Sequence, residues 1–423
     1  MKKHTYKTVK INAVDREQLA AAVRGAAVVV GIDVAKDEHR AAIVASAGQS
    51  RRVLTLSYES PGQLREFVAL LHGLPASSLA VALEPTGTYG DPLRFQLSQA
   101  GIAVYRVSPK RAHDACEVFD GVPSSHDAKM AGLVAKLHEE HVSEPWPLDD
   151  ETRRELKAAT GTMARYGEAA QELRNQLAAK MARHWPEADS LVEFDSASLL
   201  ALLARFGGPA EVARDEAAAR QLLVRSSHGW LKPAKVEALL ASARTTAGLP
   251  PTAGERAALR DLATELARQI QRQREADGEV KRLAAAEPAL AAMGEVVGLS
   301  TAAVLFCEVG DPRCFPRAGA YAKADGLNIK ERSSGKYQGQ KKITKRGSGR
   351  ARQWLYLAVL RLLQKEPLFA AWYERKVARD AGVKMKAIVA LMRKLIVGLW
   401  HVGHGEAFDP AKLFDVRRLQ REP

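Results

Sequence analysis

Cysteine is scarce: Cys116, Cys307 and Cys314 are the only three in 423 residues. Three thiols cannot build a disulfide framework, and none is paired with histidine at zinc-ligand spacing. A reducing, intracellular setting is the expectation. Long apolar runs are missing too, which excludes a bilayer-spanning helix. The N-terminus, MKKHTYKTVKINAVDREQ, has basic residues but no apolar stretch behind them, so it does not read as a secretory signal. Tryptophan occurs six times. Only Trp354 adjoins the basic loop that ends near Arg352, so the six read as core or interface anchors rather than base-stacking platforms.

Acidic residues are also short in one place. Between Arg313 and Arg352 only Asp325 and Glu331 carry negative charge, against twelve lysines and arginines. That segment supplies +10 of the chain's formal +14. A merely solvated surface mixes its signs, whereas clustering of this kind points to phosphate binding. The candidate contacts are Lys336, Lys341, Lys342, Lys345, Arg346, Arg350 and Arg352. Within the same stretch, KERSSGKYQGQKKITKRGSGRARQ, Ser334 precedes Gly335, which permits close backbone approach to a ligand. A serine amid cations can bind phosphate, or attack phosphorus if its proton is removed. From composition alone, a loop with idle serines is the plainer reading.

What the chain does have is three acids at telling places. Asp33 lies in VVVGIDVAKDEHRAAIV, Glu84 ends SLAVALEPTG, and Asp127 opens SSHDAKMAGLVAKLHEE. A carboxylate within or at the end of an apolar strand is costly unless something pairs with it. Taken singly, each has a plain explanation as a turn former, a strand terminator or a first-turn helix acid. Taken together, converging carboxylates suit a divalent cation and phosphodiester chemistry. Ser124, three residues before Asp127, stands where nucleases of this kind often place a fourth acid; Asp120 is its candidate substitute. His39, His72, His113 and His126 show no ligand spacing and read as surface or capping residues. His401 and His404 lack a third zinc ligand.

Residues 27–142 alternate strand and helix signals in the order β-β-β-α-β-α-β-α, which is that of a ribonuclease-H-like domain. SEPWPLDD, residues 143–150, reads as a linker. Residues 148–290 carry two heptad-like segments, one marked by Leu156, Met163, Ala170 and Leu177, the other by Leu259, Leu262, Leu266, Ile270, Val280 and Leu283. Two readings stay open for them: an antiparallel hairpin burying its own seam, or a coiled coil joining subunits. Residues 190–250 form a small helical insertion between them. A mostly helical C-terminal domain spans 291–410. The fold class is therefore α/β plus α.

The segments GIDVAKDEH, LEPTGTYGDPL, SPKRAHDA, SSHDAKMAGLVA, GLSTAAVLFCEVGD and ADGLNIKERSSGKYQGQKKITKRGSGRARQWLYLA together resemble the DEDD transposases of bacterial insertion sequences, the IS110 class with its Piv-type invertases. The resemblance runs from about Val28 to the C-terminal helices. It implies a RuvC-like first domain, a coiled-coil middle and a transposase domain. It also implies magnesium, or manganese in its place, on Asp33, Glu84 and Asp127, and Ser334 as a nucleophile that forms a phosphoserine link to DNA. Donor and target DNA, a structured guide RNA and a homo-oligomer (dimer or tetramer) are the implied partners, with no membrane. The implied location is the bacterial cytoplasm, on the nucleoid. Where the family has its fourth acid this chain has Ser124. A water-using junction nuclease and an inactive nucleic-acid-binding derivative are the alternatives.

Overall fold

The computed structural model describes residues 7–46, 48–85, 87–121, 126–331, 333–334, 337–339 and 341–415. They belong to two compact units, Met1–Asp150 and Glu151–Pro423. The first contains β1 (Val9–Lys10), α1 (Arg16–Val23), β2 (Ala27–Asp33), β3 (Glu38–Ser46), β4 (Ser50–Glu59), α2 (Leu64–His72), β5 (Ser78–Leu83), α3 (Asp91–Gln99), β6 (Ala103–Arg106), α4 (Pro109–Asp120), α5 (Asp127–Glu139) and β7 (Glu144–Pro145).

Its strands form one mixed sheet in the order β1-β4-β3-β2-β5-β6-β7. β3 runs antiparallel to both β2 and β4, while β2, β5 and β6 are mutually parallel. This is the ribonuclease-H-like order that the strand and helix signals predict. Strands buried on both faces need apolar residues at successive positions, and β2 and β5 have them. One face carries Val28, Val30, Ile32, Val81 and Leu83 into a core with Phe67 and Leu71 of α2 and Leu93 and Leu97 of α3. On the other face Ala82 meets Leu133, Val134 and Leu137 of α5, together with Ala112 and Cys116 of α4.

Three features depart from the sequence reading. α4 was not expected: half of PKRAHDACEVFD is polar, and its stripe of Ala112, Ala115, Cys116 and Phe119 consists mostly of small residues. SEPWPLDD is not simply a linker: Glu144 and Pro145 pair with β6 as an edge strand, and the Arg94 guanidinium lies 3.8 Å over the Trp146 ring. His39, expected at the surface or as a cap, is wholly buried. Its Nδ1 accepts from the Ala35 amide at 3.2 Å, and its ring meets Tyr58 edge-on.

The second unit opens with α6 (Glu151–His184), followed by α7 (Ala188–Leu191), α8 (Ala197–Phe206), α9 (Pro209–Arg214), α10 (Glu216–Ser227), α11 (Pro233–Thr245) and α12 (Ala253–Ala285). Then come α13 (Pro288–Val297), α14 (Leu299–Glu308), α15 (Ala318–Ala324), β8 (Ile329–Lys330), β9 (Ser333–Ser334), β10 (Tyr337–Gln338), β11 (Lys342–Ile343), α16 (Gly349–Lys365), α17 (Pro367–Arg379), α18 (Lys384–Gly403) and α19 (Pro410–Leu413). α6 and α12 pack as an antiparallel pair. Leu156 and Met163 share a core with Val280 and Leu283, while Ala170 and Leu177 share one with Leu259 and Leu266. The heptad-like stripes thus fill a seam within one chain, the first of the two readings above. No described helix is long and apolar enough to cross a membrane.

Candidate functional site

The acidic end of the sheet is set by register and by one glycine. Gly31 pairs with Ala82 across the parallel β2–β5 ladder, and Ile32 with Leu83. Side chains alternate along a strand, so Asp33 and Glu84, each two residues further on, follow Gly31 and Ala82 onto the α5 face. A Cβ at Gly31 would lie 2.1 Å from the Ala131 carbonyl oxygen and 2.4 Å from the Ala135 nitrogen. Backbone contact that close is possible only for glycine. It lays α5 directly on β2, and Asp127, one turn before Ala131, falls over the strand end that carries Asp33.

The electrostatics agree with this placement. Burial, then the negative charges of Asp127 and Glu84, push the Asp33 carboxyl up to about 6. Burial also raises Glu84, and His113 works against that rise. Three acids that repel across one strand end form a donor set in want of a cation. Among the described residues no three His, Cys, Asp or Glu side chains stand close enough to ligate one ion together. The acids' mutual repulsion is the feature that suits a cation, while their spacing is not that of a ready-made ion site. Asp127 is the first residue of α5, whose N-cap is His126; the His126 Nδ1 accepts from the Lys129 amide at 3.2 Å. His126 is therefore the capping residue expected. Ser124 and the side chain of Asp120 lie outside the described residues.

His113, read from the sequence as a surface or capping residue, has a further role beside the acids. It sits exposed on α4, the helix that was not foreseen, near enough to Glu84 to affect its ionisation. Its only signal in the sequence was its position in SPKRAHDA. The C-terminal histidines have other partners: His401 pairs with Glu406 at 2.6 Å, and the His404 Nδ1 bonds the Trp400 carbonyl at 2.8 Å.

The basic stretch is a β-arm, not an open loop. β8 pairs with β11, and beyond it β9 pairs with β10, with Ser334 opposite Tyr337. Ser334 is exposed near the tip, next to Gly335 and Lys336, which lie outside the described residues. Lys342 stands directly opposite Lys330. Like charges across a ladder destabilise it unless a polyanion lies over them. Lys341 has an exposed ion pair with Glu331 at 3.3 Å. At the root, Thr344 and Lys345 donate their amides to the carbonyls of Asn328 and Gly326. A Cβ on Gly326 would strike the Arg346 carbonyl oxygen at 2.3 Å, so the two ends of the arm press together.

Two of the expected phosphate contacts also have partners within the chain. The Arg350 guanidinium donates to the Thr160 carbonyl and faces Glu308 at 3.4 Å. Arg352 donates to the Asp325 carbonyl at 2.9 Å. Both are held by the protein itself, as charge counting cannot foresee. Asp325 is buried, and neither carboxylate oxygen has a hydrogen-bond partner. Burial pushes it up to about 7, with Arg352 opposing.

A ribonuclease-H-like sheet with acids at the ends of its central strands, carried on the same chain as a basic β-arm, marks a protein that handles nucleic acid. Comparison with known proteins is more specific. The DEDD-type IS110 transposase model matches residues 30–186, and the model of the transposase IS116/IS110/IS902 family matches residues 294–374. Together they cover more than half of the chain, which belongs to the IS110 family of transposases. A relative from Streptomyces coelicolor, "Insertion element IS110 uncharacterized 43.6 kDa protein", is 24% identical over 378 residues, covering 87% of this chain and 92% of its own. Two structures of Thermus thermophilus RuvC, one with a Holliday junction substrate, are similar at 18% identity and a TM-score of 0.23, over 28% of this chain and 99% of theirs.

Proposed function

We propose that this transposase cleaves and rejoins DNA at specific sites, with Asp33, Glu84 and Asp127 holding magnesium and Ser334 as the attacking group. The observation that carries the reading is the shared strand end, where Asp33 is raised by burial and by the two other acids. Magnesium there, or manganese in its place, would supply Lewis-acid stabilisation of charge on the scissile phosphate. The residues of the chain do the rest. Lys330, Lys341, Lys342, Lys345 and Arg346 grip the phosphate backbone and offset negative charge as it builds. These contacts read no bases, so choice of sequence falls to another agent, and a structured guide RNA pairing with donor and target fills that role.

In the chemical step the Ser334 Oγ forms a phosphoserine ester as the scissile P–O bond breaks. The serine proton is lost to solvent and the departing DNA oxygen takes one up. Attack on the ester by a second DNA hydroxyl restores the serine, so exchange needs no external energy source. In a dimer or tetramer, the acids and the serine of one reaction can come from different subunits.

The test is a covalent trap. Denaturing gels of protein incubated with element-end DNA, magnesium and copurifying RNA should show a DNA adduct that Ser334→Ala abolishes. Cleaved DNA without an adduct, unchanged in Ser334→Ala, would replace this reading with hydrolysis by water.

A further inference from the structure

The six tryptophans read as core or interface anchors, and one of them is no core residue: Trp230 is 90% exposed, the most exposed large hydrophobic side chain among the described residues. It lies in the turn between α10 and α11, far in sequence from the β-arm. His228 and Gly229 adopt left-handed backbone (φ 48° and 83°). The Trp230 amide closes the turn on the Ser227 carbonyl at 3.0 Å, and Pro233 starts α11. A short turn pinned on both sides thus holds an indole out in water.

Along α10, the turn and α11, cations outnumber acids. From Glu216 to Thr245 the only acids are Glu216 and Glu237. Both are taken: Arg244 pairs with Glu216 at 2.9 Å, and Arg220 grips Glu237 through two bonds of 2.8 Å. Arg225, Lys232 and Lys235 remain, all exposed, with no carboxylate partner among the described residues. An exposed aromatic face flanked by unpaired cations is how proteins hold unpaired nucleotides: bases stack on the ring while phosphates meet the charges. Val224 of α10 is exposed too, but Arg225, Lys232 and Lys235 outnumber it, which favours a polyanion over an apolar protein surface.

We propose that the α10–α11 turn is a binding site for single-stranded DNA, with one base stacked on Trp230 and adjoining phosphates on Arg225, Lys232 and Lys235. Of the nucleic acids, DNA is the one a transposase must handle, and opening of its duplex exposes bases to such a ring. The inference rests on DNA as partner, not on the roles proposed for the carboxylates or Ser334.

Binding of a labelled oligothymidylate, followed by anisotropy in the full-length protein, tests it. Trp230→Ala should weaken binding about tenfold, while Trp230→Phe retains most of it. Lys232→Ala should lower the salt dependence by about 0.7 per decade. Binding of duplex DNA should be the same in all three, which separates this site from the arm. Iodide should quench Trp230 in free protein and less so with oligothymidylate bound. The proposal is overturned if Trp230→Ala binds oligothymidylate as the parent does, if only oligouridylate protects Trp230 from iodide, or if the substitution alters self-association instead of DNA binding.

Discussion

The acidic end of the first unit and the basic arm of the second both gather charge of one sign, but they are built in opposite ways. Asp33 and Glu84 continue adjacent strands whose pairing is fixed over six consecutive positions. Asp127 heads a 13-residue helix pressed on β2 at Gly31. The arm consists of two-residue ladders with exposed lysines. The contrast follows from the partner each would meet. A small hard cation accepts oxygens only at narrow distances, so its ligands need rigid elements. A phosphate backbone is long and repetitive, and density of charge suffices to hold it.

Several experiments would break or sharpen this contrast. The largest effect is expected from the acids. Asp33→Asn, Glu84→Gln or Asp127→Asn should each reduce magnesium-dependent DNA cleavage by ~10³-fold or more, with DNA binding retained. Equal loss of binding would mean the acids act structurally. Next is Gly31→Ala, which forces β2 and α5 apart and should lower stability by about 3 kcal/mol or more. Thermal denaturation would show it, and no arm substitution should approach it.

The third concerns the root of the arm. The folded Asp325 carboxyl binds its proton more tightly than in the unfolded chain, where an ordinary value near 3.8 applies. Between about pH 4 and pH 7 the folded state therefore holds more protons, and stability falls as pH rises. Asp325→Asn should raise stability at pH 8 by about 1–2 kcal/mol, and the gain should vanish near pH 4. A gain that is independent of pH would assign the effect to packing. Asp33 has the same sign in metal-free protein: Asp33→Asn should raise the melting temperature at pH 8 and not at pH 4, and magnesium should reverse the order. Smallest is the lysine pair. Lys341→Ala with Lys342→Ala should reduce the salt slope of duplex binding by about 2, with melting unchanged or slightly higher because Lys342 no longer opposes Lys330.

Much of this contrast was readable in the residues. VVVGID and SLAVALE announce buried strands because backbone pairing and two covered faces admit little else. α4 was hidden because three of the four residues of its inner stripe, Ala112, Ala115, Cys116 and Phe119, are small. The arm was read as an open loop, since glycine, serine and lysine carry no strand propensity; tertiary closure at Gly326 and Arg346 imposes the pairing. His39 went inside because its ring holds the turn after Asp33, a demand no local pattern encodes.

The residues alone fixed which chemistry the chain can offer: carboxylates at strand ends, a serine among cations, and an excess of positive charge. These follow from composition and from alternation along the backbone, which are local. Which side chains face one another was decided only in three dimensions. Asp127 comes to Asp33 through a glycine's missing Cβ, Arg350 and Arg352 turn inward to carbonyls, and Trp230 turns outward. Such outcomes depend on packing between segments distant in the chain, where a single atom of clearance outweighs any local preference.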